Sequence, residues 1–353
     1  MNIRTILPTQ SGAISVGEGL PAYLIAEIGL NHNGSEQLAR EMIHAAAVAG
    51  ATFVKFQKRF PESLADTAFL DAEFEKAPAF GMTQREVRYA LELDLEVYKR
   101  LKKYAESLGL IFFATAFDLQ SLDFLLDLGV GIIKIASHSV TNGPLLKKIA
   151  DQKLSVICSL GATTLKEKDY AFNLLQHNPL VLMHCVSAYP TPDHMAFLDT
   201  IAYYKERYQR PVGFSSHEVG IDISFASVGM GACMIERHFT LDRSMIGLDQ
   251  SISLEPAEFG ELARKIKRMI AVRGVINEPN SDELLTKNKY HVSVHTSKLI
   301  TAGTVITADM ICCKQPLGDA AYYFTGIQVE EVIGKKLKRD LAADVAIPRE
   351  SLK

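Results

Sequence analysis

Short apolar runs recur along the first three quarters of the chain, separated by polar segments with helical spacing. The runs are 22–28 (AYLIAEI), 52–57 (TFVKFQ), 110–115 (LIFFAT), 131–136 (GIIKIA), 154–159 (LSVICS), 179–185 (PLVLMHC), 211–215 (PVGFS) and 232–237 (ACMIER). Each is short and lacks polar alternation, which predicts a strand buried on both faces. Between them, and after the last, segments 35–49, 95–108, 119–128, 142–150, 165–176, 195–206, 221–230 and 256–272 place apolar residues three and four apart, which predicts helices. Eight strands alternating with eight helices over about 250 residues predict an α/β fold, a closed (β/α)8 TIM barrel. An open doubly wound sheet gives a similar string, and the count of eight favours the barrel. The stretch 60–94 is too long for a simple connection and rich in Phe, Asp and Glu, so it predicts an elaborated loop over the barrel mouth.

The pattern changes at 275–288 (VINEPNSDELLTKN), which reads as a polar linker and divides the chain into a barrel, 1–274, and a small domain, 289–353. Within the small domain Ile300, Gly303, Ile306 and Asp309 are echoed by Leu341, Asp344, Ile347 and Glu350. This duplication predicts two similar half-motifs in a loop-rich β fold with little core of its own.

Composition narrows the partners. The 353 residues carry 38 Lys+Arg against 41 Asp+Glu, a net charge of −3, so no basic surface for nucleic acid is expected. No run approaches the roughly 20 apolar residues of a membrane span. The chain is therefore expected in the cytoplasm, acting on small molecules, with Cys158, Cys185 and Cys233 as buried free thiols. The short KKLKR stretch at 335–339 reads as a solvated face, and His138, His184 and His194 as loop or core histidines.

In a barrel of this kind the chemistry lies at the C-terminal strand ends. Those positions carry Glu27 and Asn31, Lys55 and Gln57, Thr115 and Asp118, Lys134 and Ser137, Ser159, His184 with Ser187 and Tyr189, Ser215 with His217, and Glu236 with His238. An ammonium inside an apolar strand is costly without a partner. Lys55 and Lys134 should therefore each face an anion, or lose the proton and act as a Schiff-base nucleophile. With the hydroxyls of Thr115, Ser137, Ser187 and Ser215 around them, they describe a site for a small, highly charged anion such as a phosphate ester bearing a carboxylate. His217 and His238 end adjacent strands and could hold a divalent metal, with manganese, cobalt, zinc and iron fitting equally. Asp249 is a third ligand or a substrate contact, and Glu27 is placed for acid/base work or for binding sugar hydroxyls.

The strings AEIGLNHNG, AGATFVKFQK, IKIAS, LMHCVSAYPTP, GFSSHEVGI, IERHFTLDR and SLEP, in this order, resemble the sialic acid synthase family. The likeness covers nearly the whole chain, since 289–353 is similar to the antifreeze-like SAF domain of that family. The resemblance implies metal-dependent condensation of phosphoenolpyruvate with an N-acylhexosamine, by default N-acetylmannosamine, to give a nonulosonate and phosphate. It implies manganese on His217 and His238, and phosphoenolpyruvate against Lys55, Thr115, Lys134, Ser137, Ser187 and Ser215. It places the sugar near Glu27, Gln57, Tyr189 and Asp249. It also implies a homodimer in which the SAF domain of one subunit covers the barrel mouth of the other.

The chain departs from the family pattern at several positions. Ser139 stands where a carboxylate is usual, Gln315 where many members have an arginine that reaches the sugar's acyl group, and Ser216 where an Asp is commoner. CSLGAT replaces the usual STGM in the fifth strand. A carboxylate behind the metal ligands is therefore expected to be missing, and the sugar half of the site to differ from the usual one. Competing readings are a Schiff-base aldolase, a synthase for another 3-deoxy-ulosonate from a phosphorylated aldose, and a non-catalytic homologue that binds sugar or phosphoenolpyruvate.

Overall fold

Two strands outside the predicted set open the fold. In the computed structural model, which describes residues 3–9, 12–318 and 320–353, β1 (Arg4–Thr9) and β2 (Gly12–Gly17) pair as an antiparallel hairpin. The eight expected strands follow as β3 (Tyr23–Gly29), β4 (Phe53–Lys58), β5 (Ile111–Ala116), β6 (Ile132–Ile135), β7 (Ser155–Ser159), β8 (Leu180–Cys185), β9 (Val212–Ser216) and β10 (Met234–His238). They are parallel and close into a barrel in sequence order, with β10 beside β3.

Strand alternation sorts each side chain to one of two cores. Leu24, Ala26, Ile28, Val54, Phe56, Phe112 and Ala114 face outward into a large cluster with the surrounding helices. Ile25, Phe53, Phe113, Ile132, Ile157, Val181, Met183 and Met234 face inward and form an apolar floor. Leu7 of β1 and Val16 of β2 are fully buried in that floor, so the hairpin plugs the N-terminal end of the barrel. Burying each large floor side chain contributes about 1.5–3 kcal/mol.

The helices follow the predicted spacing and start at residues that satisfy free backbone N–H groups. Ser35 accepts from Leu38 N ahead of helix Glu36–Val48, Asp94 from Val97 N ahead of Leu95–Ser107, and Thr164 makes a capping box with Glu167 ahead of Leu165–Leu175. One boundary moves. The helix expected over 195–206 spans Thr200–Tyr208, because Phe197 takes a left-handed backbone (φ 43°) that separates it from a short 3-10 turn at Asp193–Met195.

The long 60–94 stretch folds into helices Pro61–Leu64, Thr67–Leu70 and Gln84–Ala90. Its Ala77, Val87 and Leu91 bury against Leu30, just beyond β3, with Leu248, beyond β10, packed alongside. The insertion thus sits at the C-terminal end of the barrel, as expected.

The chain divides into two compact units, Met1–Arg273 and Gly274–Lys353. The stretch 275–288, expected as a linker, holds most of helix Ser281–Tyr290, capped by Asn280 and burying none of its residues. In the second unit β11 (Ser293–Thr296) pairs antiparallel with β12 (Ile311–Lys314) over a core of Val294, Ile300, Ile306, Val332, Leu337, Leu341 and Ile347. The duplication is structural: Ile300 bridges Leu341, Ile306 and Ile347 are both fully buried, and Gly303 and Asp344 both have positive φ. Asp309 and Glu350 each lie in a 3-10 turn. Among the described residues no helix is long and apolar enough to cross a membrane.

Candidate active site

One inward step above the apolar floor the strands turn polar. Two residues beyond Ile25 comes Glu27, beyond Phe53 Lys55 and then Gln57, beyond Phe113 Thr115, beyond Ile132 Lys134, beyond Ile157 Ser159, and beyond Met234 Glu236 and then His238. These groups line a cavity of about 320 Å³ at the C-terminal strand ends, with Phe117, Ala136, Ser137, His138, Ala162, Cys185, Ser187, Tyr189, Ser215, His217 and Asp249.

The two lysines are buried and linked through carboxylates. Lys55 Nζ lies 2.9 Å from Glu27 Oε2 and 3.5 Å from Glu236 Oε1, and donates to Thr115 Oγ1 at 3.0 Å. Lys134 Nζ donates to Ser159 Oγ at 2.7 Å and reaches Glu236 Oε1 at 3.3 Å, where Ser215 Oγ also arrives at 3.2 Å. Burial by itself would strip the Lys55 proton, but Glu236 and then Glu27 outweigh it and hold its pKa above the usual lysine value. Burial likewise opposes ionisation of Glu236, yet Lys134, Lys55 and His238 hold its carboxyl well below the usual range. Both groups are therefore charged. Three donors crowd one oxygen of Glu236 at long distances, so they remain available to an incoming oxyanion.

Backbone geometry places these groups. The β3–β4 register shifts between Glu27 and Gly29, and Gly29 has φ 56°. Gln57 Nε2 donates to Glu27 Oε1 at 2.7 Å, and a Cβ on Gly29 would lie 3.1 Å from both atoms. Gly161 is tighter still: a Cβ there would meet Ser187 Oγ at 2.7 Å and both Cys185 O and Ser137 Oγ at 2.9 Å. Its N–H donates to Ser137 Oγ at 2.9 Å. The Gly in CSLGAT lets the β7 loop close against this wall.

His217 and His238 face each other with ring centroids 5.5 Å apart, and Tyr189 lies over His217 at 4.0 Å. His217 Nδ1 is 3.1 Å from the Val186 carbonyl oxygen, which can only accept, so Nδ1 carries the proton and Nε2 keeps its lone pair. Burial, then the neighbouring His238, lowers the His217 pKa to about 3, leaving a neutral imidazole. His238 Nδ1 is buried without a hydrogen bond, 3.8 Å from Asp249 Oδ2. Two imidazoles and a nearby carboxylate fit a divalent cation that completes its shell with substrate or water oxygens. Among the described residues no group of three or more His, Cys, Asp or Glu is arranged as a metal cage.

A buried carboxylate does stand one residue after His217, but its hydrogen bonds go to neither histidine. Glu218 Oε1 accepts from Arg237 Nη1 at 2.6 Å, Ser224 N at 3.0 Å and Ser224 Oγ at 2.6 Å, and Ser216 Oγ donates to its other oxygen. Glu218 and Arg237 are both about 1% exposed. This carboxylate braces the β9 and β10 ends, and the backbone carbonyl of Val186 orients His217.

The cavity brings together twelve of the expected site residues: Glu27, Lys55, Gln57, Thr115, Lys134, Ser137, Ser187, Tyr189, Ser215, His217, His238 and Asp249. Gln315 belongs to the second unit, where its Nε2 donates to the Tyr290 carbonyl at 3.0 Å. Ser139 is buried with a partnerless Oγ and does not line the cavity. His184 is a core residue, its Nε2 2.7 Å from Ala196 O, whereas His138, read as structural, stands exposed on the cavity rim. Glu236 had no assigned role in the sequence reading. The signal was there, because it precedes His238 by two residues and so shares its face.

Comparison with known proteins gives the same picture. The NeuB family matches residues 42–278 and the SAF domain 291–353. The N,N'-diacetyllegionaminic acid synthase of Legionella pneumophila is 36% identical, with 94% of each chain covered. The human N-acetylneuraminate-9-phosphate synthase is 32% identical over 95% of this chain and 94% of its own. The crystal structure of the N-acetylneuraminic acid (sialic acid) synthetase of Leptospira borgpetersenii superposes with a TM-score of 0.67 at 35% identity, covering 78% of this chain and 94% of that one. With its closed barrel, its polar mouth and its C-terminal SAF domain, the chain belongs to the NeuB family and is a carbon–carbon bond-forming enzyme of the sialic, legionaminic and pseudaminic acid synthase type.

Proposed function

We propose that the enzyme condenses phosphoenolpyruvate with an open-chain N-acylhexosamine, by default N-acetylmannosamine, to give a nonulosonate and inorganic phosphate. The observation that carries this reading is the pair of buried lysines, paired with Glu27 and Glu236 and ringed by hydroxyls in a cavity sized for small substrates. Lys55 and Lys134, with Thr115, Ser137, Ser187 and Ser215, bind the carboxylate and phosphate of phosphoenolpyruvate. They hold its methylene carbon toward the sugar aldehyde, an orientation effect worth up to about 7–11 kcal/mol. The new bond joins methylene to aldehyde carbon, water adds to the former enol carbon, and phosphate leaves with its bridging oxygen. Glu27 and Gln57, hydrogen-bonded to each other, face the acceptor's hydroxyls with Tyr189 and Asp249.

His217 and His238 would hold a divalent cation, manganese in this proposal, which polarises the aldehyde as a Lewis acid and contributes several kcal/mol. The raised pKa of Lys55 keeps it an ammonium, which speaks against a Schiff base at that residue. The proposal includes a homodimer in which Gln315 of one subunit approaches the acyl group of a sugar in the other. The test incubates the manganese-loaded protein with phosphoenolpyruvate and a panel of aldoses headed by N-acetylmannosamine, following phosphate release and product mass. Chelator-sensitive release with a product of summed mass is expected. Absence of release with every aldose would overturn the reading.

A further inference from the structure

His138 lines the cavity but has no part in the condensation chemistry. Strand β6 ends at Ile135, and the 3-10 turn Ser137–Ser139 that follows sends three consecutive side chains to different places. Ser137 lies on the cavity wall, its Oγ accepting from Gly161 N at 2.9 Å. Ser139 is buried with a partnerless Oγ, so the position where a carboxylate is usual does not line the cavity. His138 stands between them, exposed on the rim, and stacks on Phe117 just beyond β5. The ring centroids are 4.9 Å apart and the planes 16° from parallel. Phe117 is itself buried, so it anchors one face of the imidazole.

Desolvation, then the charges of Arg59, Arg88 and Lys134, lowers the His138 pKa and favours the neutral ring. Neither ring nitrogen has a hydrogen-bond partner among the described residues. A neutral imidazole presents one N–H donor and one lone pair. That combination suits a group that donates and accepts at once, such as a hydroxyl, better than it suits an oxyanion. Position adds the second argument. In the closed barrel β6 lies four strands from β10 in either direction, so His138 and His238 stand on opposite sides of the mouth. An acceptor whose aldehyde lies at the histidines of β9 and β10 therefore extends its remaining carbons toward His138.

We propose that His138, braced by Phe117, is a specificity-determining residue that hydrogen-bonds a hydroxyl on the acceptor carbons remote from the aldehyde. This rests on the condensation reading and places acceptor recognition on the β6 turn at residue 138 rather than 139.

The test measures kcat/KM of the manganese-loaded enzyme, at saturating phosphoenolpyruvate, for N-acetylmannosamine and its 4-deoxy, 5-deoxy and 6-deoxy analogues. The wild type should use one of these analogues about tenfold less well than the parent sugar. In His138→Ala the parent should fall by a similar factor and the penalty for that missing hydroxyl should vanish, because both changes remove the same hydrogen bond. His138→Asn keeps a donor and an acceptor and should recover part of the discrimination, whereas His138→Phe keeps only the ring and should not. The KM for phosphoenolpyruvate should stay within about twofold of wild type in all three variants. Additive losses, equal use of parent and analogues by the wild type, or a matching rise in the KM for phosphoenolpyruvate overturns the proposal. If the wild type turns over no aldose, the condensation reading fails, and calorimetric titration of N-acetylmannosamine into enzyme saturated with phosphoenolpyruvate reads the contact separately. Binding that weakens about tenfold in His138→Ala supports it. Equal binding in the variant, or no binding to either protein, overturns it.

Discussion

The floor and the mouth of the barrel are built from the same strands, often two residues apart, and differ in what they tolerate. At the floor Ile25, Phe53, Phe113 and Ile132 meet the hairpin's Leu7 and Val16 in a dry cluster. One inward step higher, Glu27, Lys55, Thr115 and Lys134 occupy the same strands and are about as inaccessible. The floor is stabilised by apolar burial, which needs only shape and volume. The strand-borne charges Glu27, Lys55, Lys134 and Glu236 stay buried there because each has a partner across the closed sheet, and removing one partner leaves the others costly. Stability and chemistry are thus layered along each strand.

The largest expected effect separates the layers directly. Lys134→Met should lower phosphoenolpyruvate-dependent phosphate release by about 10³-fold, since it removes a positioned cation from a water-poor site. Phe113→Ala, one layer down, should cost about 3–5 kcal/mol in urea unfolding, with the KM for phosphoenolpyruvate close to wild type. A large KM change in Phe113→Ala would break the division.

The next effect concerns the outward side of the mouth. Glu218→Gln leaves Arg237 buried without its countercharge and should destabilise by about 3–5 kcal/mol. The pair Glu218→Leu with Arg237→Met should recover much of that loss. If the double variant is as unstable as the single, the pair braces β9 and β10 through its hydrogen bonds to Ser216, Ser224 and Gly220 rather than through charge balance.

The smallest effect is a pH slope. His32 is buried against Phe56, and burial, then Arg59, lowers its pKa from 6.5 to about 3. The unfolded chain binds this proton first on acidification. The His32 contribution is complete above pH 6.5 and is lost as pH falls toward 3, at up to about 1.4 kcal/mol per pH unit. Urea midpoints measured from about pH 7 to pH 4 should fall less steeply in His32→Gln than in wild type. Parallel slopes would show that His32 is not held neutral.

Much of this architecture is legible in the chain because barrel strands are buried on both faces and stand out as unbroken apolar runs. The phase of each strand is legible too: His238 marks the inward face, which assigns Glu236 inward and Arg237 outward. The β1–β2 hairpin escaped because only Leu7 and Val16 are fully buried and Pro8 interrupts its run. The late start of helix Thr200–Tyr208 escaped because nothing local marks Phe197 for a left-handed backbone. Glu218 was overlooked because its neighbours Ser216, Ser224 and Arg237 come together only when β9 and β10 pair.

The sequence by itself determined the strand and helix periods, the polar residues at the strand ends, the boundary of the small domain and its internal duplication, since each depends on spacing along a short stretch. Only the tertiary structure decided that Glu27, Lys55, Lys134 and Glu236 share one network, and that two arginines of the mouth bear on His138 at its rim. Those partners are far apart in the chain, and it is closure of the sheet, with β10 against β3, and the folding of the insertion onto the barrel that set their distances.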